Sequence, residues 1–598
     1  AGGAVTITLM DGSTAHGGLD VTTGAGGAGG DGGATAGAGN ATTAAGGAFT
    51  LTDITTALTG DVTLVTSAGG AAGTAGTAAG GVGANSGLIT ITDFSATATG
   101  AFSATAGNGG VASAATETAA GSNAGDAGAI VIASATAVDS IVGSISLTGG
   151  DGALGGAAGV GGVGGDATAT IAGDFAGAIV LNNGTAGATG ATSGGAGAAG
   201  GTATVTFDGT TNQTIIGNIT AAADGEGAIT MTGNSGTADT VTMTGNIGSS
   251  SAKVGTLTIG SGTAETSLAL TGDVYATTIN AGSVGDWTGN VATAIDINGD
   301  MTFTTLNVNA GTGATAEDLN MTVSGNLTGT TIALTDATGN GSSTLTLDGT
   351  AAQTISAAIT ASVTGLGNVT VANTAGTVTF SEKVGDSAGN AVETITLNTG
   401  TTSVFNKAVD STAITATTTA SSTFNAAVTN TNAITTGVGS TTVFDSTVSS
   451  ATLSNSGAMT LKGAVTLSGT MTTVSGSTIT LGSAFKAGSA AAITAALTSV
   501  GTLDQTVNAV TVNVNNQFTT GTVVLFKNTA AALDSDDLAS FNVTDTAIVD
   551  YTAALSSTAK AIEITANKRT TAGIATYLGM STAQSAALGQ ISAAVASG

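Results

Sequence analysis

The sequence predicts an all-β chain built as a solenoid of stacked strands. Three observations point there. A pattern of about 40 residues recurs through the first third of the chain, and a period of that size marks units that bury their apolar side only against their neighbours. Short segments alternate Thr with Ile, Leu or Val, the period-two signature of half-buried strands. Aromatic residues make up only 3% of a chain that is 41% apolar, too few for the wide core of a conventional globule of 598 residues.

Each repeat carries two short strands and a loop. The first strand of each is Val5-Thr-Ile-Thr-Leu9, Phe49-Thr-Leu-Thr52, Leu88-Ile-Thr-Ile-Thr92, Ala129-Ile-Val-Ile132 or Val205-Thr-Phe207. The second is Asp61-Val-Thr-Leu-Val65, Ala101-Phe-Ser-Ala-Thr105, Ser144-Ile-Ser-Leu-Thr148 or Ala178-Ile-Val-Leu181. Long Gly/Ala-rich loops such as 68–82 and 149–165 follow. They have no hydrophobic period and read either as disordered or as extended polyglycine-like helices lying side by side.

Composition shifts divide the chain into 1–201 with the Gly/Ala loops, 202–503 with dense strands, and 504–598, where charge and aromatics return. The middle region repeats internally. Gly201-Thr-Ala-Thr-Val-Thr-Phe-Asp-Gly-Thr210 matches Gly341-Ser-Ser-Thr-Leu-Thr-Leu-Asp-Gly-Thr350, and both continue through Gln-Thr-Ile at Gln213 and Gln353. Val254-Gly-Thr-Leu-Thr-Ile259 mirrors Val392-Glu-Thr-Ile-Thr-Leu397, so a unit of about 140 residues reads as duplicated. Ile562-Glu-Ile-Thr565 reads as the last strand. Residues 570–597 read as a helix with Ile574, Leu578, Leu588, Ile591 and Val595 on one face, placed to cap an open strand edge.

Proline is absent, so no strand position lacks its amide donor, and turns fall to Gly, Asn and Asp. Cysteine is absent too, which excludes disulfides and thiolate metal sites. The net charge is −28, and no Lys or Arg precedes Lys253. A nucleic-acid partner needs clustered cations, so that class is excluded for the early repeats, and anionic membranes are disfavoured on the same ground. No run is long and apolar enough for a membrane-spanning helix, so this chain is not expected to insert. The opening at Ala1, with neither Met nor a leader, reads as a signal peptide already removed rather than a trimmed chain.

Motifs that could carry chemistry are few. Gly385-Asp-Ser387-Ala-Gly389 fits the nucleophile elbow G-x-S-x-G, but the elbow needs a base and His16 is the only histidine. In a chain this rich in Gly and Ser the match is expected by chance. His16 has no second His and no Cys with which to hold a metal, and it reads as a solvated loop residue. Gly26-Gly-Ala-Gly-Gly-Asp31 and Gly161-Gly-Val-Gly-Gly-Asp166 imitate half of the nonapeptide calcium repeat, without its tandem spacing or its large apolar residue. Looser Ca²⁺ bridging of Asp-bearing loops between subunits is the cation role the composition leaves room for. The pairs Thr6/Thr8, Thr50/Thr52 and Thr90/Thr92 have the form of an ice-binding array, and equally of ordinary exposed strands. Sequons at Asn40, Asn183, Asn212, Asn218, Asn320 and Asn326 follow from the abundance of Thr. No catalytic or cofactor-binding residue is assigned, no cofactor is expected, and an enzyme is not expected for want of acid–base machinery.

The C-terminal region carries a family resemblance. Tyr551-Thr-Ala-Ala554, Ile562-Glu-Ile-Thr-Ala-Asn-Lys-Arg569 and Ala572-Gly-Ile-Ala-Thr-Tyr-Leu-Gly-Met580 resemble the junction before the membrane barrel of autotransporters. The type most similar is the surface-antigen passenger of rickettsial outer-membrane protein B. Gly245-Asn-Ile-Gly248, followed by Val254-Gly-Thr-Leu-Thr-Ile259, resembles its repeat motif. The resemblance implies a right-handed parallel β-helix, export through a Gram-negative envelope and display at the bacterial cell surface. The chain lacks the barrel, which reads as a released passenger. Its overall composition is also similar to spinin, the subunit of rigid tubular bacterial appendages.

These readings converge on an extracellular structural subunit whose partner is itself, forming a surface layer (S-layer), filament or tube. The Gly/Ala loops are expected to supply lateral contacts, because backbones without side chains approach closely. The alternative is an autotransporter-type adhesin, a monomeric stalk binding a surface or host ligand.

Overall fold

The fold follows from the alternation of Thr with aliphatic residues. In an extended strand successive side chains take opposite faces, so one face of each segment is aliphatic and the other hydroxylated. The computed structural model describes residues 2–8, 17–28, 45–54, 58–72, 83–94, 100–111, 125–132, 141–142, 144–154, 160–189, 199–209, 212–233, 239–260, 266–282, 293–310, 318–335, 341–386, 389–495, 510–514 and 520–597. Among them the chain is all-β, with long parallel sheets and three short helices near the C-terminus.

It divides into two compact units, residues 1–330 with 336–343, and residues 331–335 with 344–598. The division falls where the second copy of the duplicated segment begins. The compositional divisions after residues 201 and 503 fall inside the units.

In the first unit, the first strands of successive repeats pair with one another in parallel. Val5–Ile7 pairs with Phe49–Ile54, which pairs with Ile89–Phe94, then Ile130–Ile132, Ala167–Ile171 and Ala203–Gly209. The second strands form their own ladder, Leu19–Thr22, Val62–Val65, Phe102–Thr105, Ile145–Thr148, Ile179–Asn182 and Ile219–Ala221. On the buried face the register sets apolar residue on apolar residue, while the outer face mixes Thr and Ser with Val, as where Thr90 lies on Val131 and Val180 on Ser146. Leu51 lies on Ile91, and Thr6, Thr50 and Thr90 form one row. The aliphatic faces are closed, with Leu51, Leu64, Ile91, Leu147 and Leu181 fully buried. Each such side chain contributes roughly 1.5–3 kcal/mol on leaving water.

The second unit repeats the scheme with shorter connections. Thr377–Phe380, Thr402–Phe405, Ser421–Phe424 and Thr441–Phe444 stack in parallel, so that Phe380, Phe405, Phe424 and Phe444 fall in register. Their rings stack at centroid distances of 4.4, 4.7 and 5.2 Å. In the first unit the buried phenylalanines, such as Phe49, Phe175 and Phe207, stand among Leu, Ile and Val, whereas here four rings form one continuous file. Polar residues enter the interior beside it, where Asn430 donates to Ser411 and accepts from Ser450, and Thr436 donates to Asn455.

The duplication is structural as well as sequential. Gln213 and Gln353 both open buried strand positions. Ile247 bridges Ile219 and Val274 in the first unit, as Val384 bridges Ile359 and Val409 in the second.

The C-terminal end departs from the parallel pattern. Gly521–Asn528 pairs antiparallel with Ala561–Lys568, which pairs antiparallel with Val549–Leu555. The expected last strand, Ile562 to Thr565, therefore lies inside a hairpin. Helix α1 is Ser535–Ala539. The helix expected over 570–597 is two, α2 at Thr571–Tyr577 and α3 at Thr582–Ser597. Gly579 adopts φ +61° and ends α2 in a Schellman turn, with Gly579 N–H donating to Thr576 O and Met580 N–H to Ala575 O. Ser581 and Gln584 form the capping pair that starts α3. The expected apolar face covers no strand edge: Leu578, Ile591 and Val595 are 55%, 61% and 78% exposed.

Candidate assembly surface

Gly/Ala segments link the second strand of each repeat in the first unit to the first strand of the next. The described outgoing pieces are 23–28, 66–72, 106–111, 149–154 and 183–189; the returning pieces are 45–48, 83–88, 125–129, 160–166 and 199–202. They contain no helix or strand, yet their amides are bonded in two directions. Outgoing pieces bond to each other, as from Gly69 N–H to Asn108 O (3.0 Å), Gly109 to Asp151 O (2.9 Å) and Gly152 to Thr185 O (2.8 Å). Returning pieces do the same, from Ser86 to Asp126 O (3.1 Å), Ala127 to Val163 O (3.0 Å) and Gly164 to Ala199 O (3.0 Å). The two layers are joined by Gly128 to Gly107 O (3.0 Å), Gly162 to Ala153 O (2.9 Å), Gly165 to Gly150 O (2.8 Å) and Gly187 to Gly162 O (2.9 Å).

These bonds recur at every third residue, the period of an extended threefold helix, in which only glycine fits a crowded axis. Burial has the same period. Residues 161, 162, 164 and 165 are buried, while Val160, Val163 and Asp166 are exposed. A side chain at Gly128, Gly162 or Gly165 would overlap the carbonyl oxygen of Gly87, Gly125 or Gly128. Of the two readings of the loops, the described parts take the second, polyglycine-like segments packed side by side in two layers.

This packing changes what the loops can offer a neighbour. The close approach of bare backbones is already used within the unit, and the outer faces carry side chains. Val111 and Leu154 on the outgoing layer are 49% and 52% exposed; Val160 and Val163 on the returning layer are 37% and 41% exposed. Beside them run files of Asn and Asp. Asn85 Oδ1 accepts from Asp126 N–H (2.9 Å), and Asp126 Oδ1 from Val163 N–H (3.1 Å). Asn108 accepts from Asp151 N–H (2.8 Å), and Asp151 from Thr185 N–H (2.9 Å). The outer faces are thus regular, acidic and partly aliphatic.

A third file of the same kind marks a corner of the first unit. Asn218 Oδ1 accepts from Asn246 N–H (2.8 Å), Asn246 from Asp273 (2.9 Å), Asp273 from Asp300 (2.9 Å) and Asp300 from Asn326 (2.7 Å). Each is preceded by a glycine (Gly217, Gly245, Gly272, Gly299, Gly325) and followed by a buried aliphatic residue (Ile219, Ile247, Val274, Met301, Leu327). Burial of the phenol, then the Asp273 and Asp300 carboxylates, raise Tyr275 beside this file above the ordinary tyrosine value. Sequence reading missed the file, although Gly-Asn/Asp-aliphatic recurs at spacings of 28, 27, 27 and 26 residues. It missed the phenylalanine file for the same reason: both periods are shorter than the one that draws the eye.

The singled-out motifs are placed as follows. His16, Asp31 and Ser387 lie outside the described residues. Gly385 is described and adopts φ +77°, a left-handed corner where a side chain would strike Asp410 O. Asp166 accepts from Thr202 N–H (2.8 Å). The sequon residues Asn183, Asn212 and Asn218 all accept backbone N–H groups of a following repeat. Among the described residues no group of His, Cys, Asp and Glu is arranged to hold a metal ion. No protein family, no curated protein and no solved structure matches this chain.

Proposed function

We propose that the chain coils as a right-handed parallel β-solenoid and serves as an extracellular structural subunit that assembles with copies of itself into a layer, filament or tube. The observation that carries this reading is the two-layered glycine slab. Its backbone bonds close its interior, and its outer faces repeat one short pattern of Asx and aliphatic residues. Regular faces of this kind suit contact with other regular faces better than capture of a small ligand, which needs a concave site with a few converging polar groups. The Asx files bear on the charge of the faces. In the two slab files the exposed Asp126 and Asp151 each engage Oδ1 with a backbone amide, so lateral contact in a chain of net charge −28 is eased by divalent cations at such carboxylates. Secretion to a Gram-negative surface is proposed on the autotransporter resemblance.

Electron microscopy of the purified protein at neutral pH, with Ca²⁺ and with chelator, tests the proposal. Ordered layers, filaments or tubes are expected with Ca²⁺. Monodisperse single particles under every condition would overturn it.

The adhesin reading has one observation on its side, a shallow groove of about 260 Å³ in the second unit lined by Ser440, Thr441, Ser456, Ser475 and Thr478. It arises where the repeat from Phe444 to Leu461 is shorter than its neighbours. The groove has neither an aromatic nor a charged residue in its lining, and so ranks second.

A further inference from the structure

A parallel sheet ends in a strand with one row of unpaired amides and carbonyls, a template for a strand from another molecule. The second unit handles this edge in four steps. First, the parallel ladder Val465–Leu467, Ile493–Ala495, Gly521–Asn528 is met by Ala561–Lys568 in the opposite direction, with an irregularity between Val524 and Phe526. A reversal of direction and a bulge both spoil the match to an incoming parallel strand. Second, Val549–Leu555 adds a further antiparallel strand outside it.

Third, the outer side of that strand is occupied at its start by residues 545 and 546. Tyr551 N–H donates to Asp545 Oδ1 (2.8 Å), Val549 N–H to Thr546 Oγ1 (3.0 Å), and Thr546 N–H to Val549 O (3.0 Å). Fourth, this loop is clasped. The Arg569 guanidinium, only 17% exposed, bonds Asp545 Oδ2 at 2.6 Å and reaches Asp550 at 3.5 Å. Its Nε donates to Thr546 O (3.3 Å), its charge lies 4.7 Å from the centre of the Tyr577 ring, and Tyr577 Oη donates to Asp545 O (3.1 Å). Of the helices that sequence reading made the cap, α2 enters this clasp through Tyr577, and α3 contributes no residue to it.

We propose that residues 521–577 form an end-stop, which denies the edge of the parallel ladder ending at Gly521–Asn528 to a strand from a second copy of the chain; the ladder that ends at Phe541–Thr544 is a separate edge. Lateral association through the glycine slab is left open, and end-to-end strand addition at this edge is barred. The end-stop does not rest on the functional reading above. It holds whether or not the wild-type protein assembles laterally.

The test opens the hairpin in the full-length chain. Ile564 is fully buried on a strand paired on both sides, and Ile564→Pro removes its amide from one pairing while the proline ring disrupts the strand that both pairings share. Hydrogen exchange over 521–528 should lose its protection, and particles should join end to end into thin fibres with a meridional repeat of about 4.8 Å. Unassociated particles with 521–528 demonstrably unprotected would overturn the proposal. In case Ile564→Pro misfolds as a whole, a second variant locks the hairpin instead. Val524 faces Glu563 across the antiparallel pair, and the chain has no native cysteine. In mild denaturant, wild type should form the fibres, V524C/E563C should not while oxidised, and reduction should restore them. Equal fibre growth by the oxidised variant and wild type would also overturn it. Failure of wild-type protein to form layers or tubes counts against the functional reading and leaves this one standing.

Discussion

Gly162→Ala puts the glycine slab to its sharpest test. Gly162 sits where the two layers meet. Its N–H donates to Ala153 O and its carbonyl accepts from Gly187 N–H, both at 2.9 Å. A methyl group there would point at the Gly125 carbonyl, 2.9 Å from its carbon and 3.1 Å from Ala153 N, and closer still to the oxygen. Carbon–oxygen contacts settle at about 3.3–3.6 Å, so the segments must part by about 1 Å. Parting the segments by that much takes Ala127 N–H to Val163 O, the 3.0 Å bond between them, beyond bonding distance, together with one of the two bonds of Gly162. Two lost bonds cost about 1 kcal/mol each, and overpacking adds about 1–3 kcal/mol. The unfolded chain returns about 0.4–1 kcal/mol, because alanine has less conformational freedom to lose. The net expectation is a loss of about 2–4 kcal/mol. Gly27→Ala is the matched control. Nothing lies within 4 Å of its added methyl group, so it should be neutral or stabilise by about 0.4–1 kcal/mol. Thermal unfolding, with hydrogen exchange over 149–154 and 160–165, reads both. If Gly162→Ala melts with Gly27→Ala and keeps its protection, the segments are not packed as layers.

Three further outcomes follow from the same structure. Phe424 stacks between Phe405 and Phe444, so Phe424→Ala should cost about 3–5 kcal/mol in denaturant unfolding of the second unit, and Phe424→Leu markedly less. Asp300 Oδ1 accepts from both the backbone and side-chain amides of Asn326, so Asp300→Asn should be nearly neutral while Asp300→Ala loses about 1 kcal/mol in the same assay. Burial first, and the carboxylates of Asp534 and Asp536 besides, raise the pKa of Asp537 above the ordinary carboxylate value, against a lowering by the Asp534 amide. The folded state then holds that proton more tightly than the unfolded one. Its contribution is full below the ordinary carboxylate pKa and is lost as pH rises through the raised value, so at neutral pH the ionised Asp537 weighs against folding. Asp537→Asn keeps an acceptor for Asp534 N–H, and should melt higher than wild type near pH 7 with the gap closing near pH 3; a lower melting temperature near pH 7 would contradict the assignment.

How far the sequence discloses the fold depends on which physical effect sets each element. The strands at 49–54, 62–65, 89–94 and 102–105 were legible because alternation of Thr with aliphatic residues is imposed locally by the pleat, before any partner is considered. Their pairing was legible because a fixed repeat leaves each aliphatic face one place to go. The C-terminal helices were read as one because five apolar residues at helical spacing outweighed the local stop signal at Gly579 and the start signal Ser581-x-x-Gln584. Of those five, Leu578, Ile591 and Val595 proved exposed and Ile574 and Leu588 half-buried: periodicity reports what a face could bury, and only a partner decides whether it does. The cap went unread because it rests on Asp545, Arg569 and Tyr577, which are far apart in the chain and have no periodic signature.

The glycine segments are the hardest case. A glycine-rich stretch without hydrophobic period has the composition of a disordered linker, and here the difference lies in spacing alone. Gly107 and Gly110, Gly125 and Gly128, Gly162 and Gly165, Gly184 and Gly187 each stand three apart. That interval places glycine, or at Ala84 and Ala153 alanine, where a threefold helix turns inward and lets Asn, Asp, Val and Leu collect on the outer faces. A disordered linker would have no reason to keep such a phase from one repeat to the next. Shifting it should therefore be worse than changing any single outward residue: inserting one alanine between Gly162 and Val163 moves Val163 into the inner row and Gly165 out of it. Loss of protection over 149–154 and 160–165 from that insertion, with none from Val163→Thr, is the outcome that a phase-dependent slab requires.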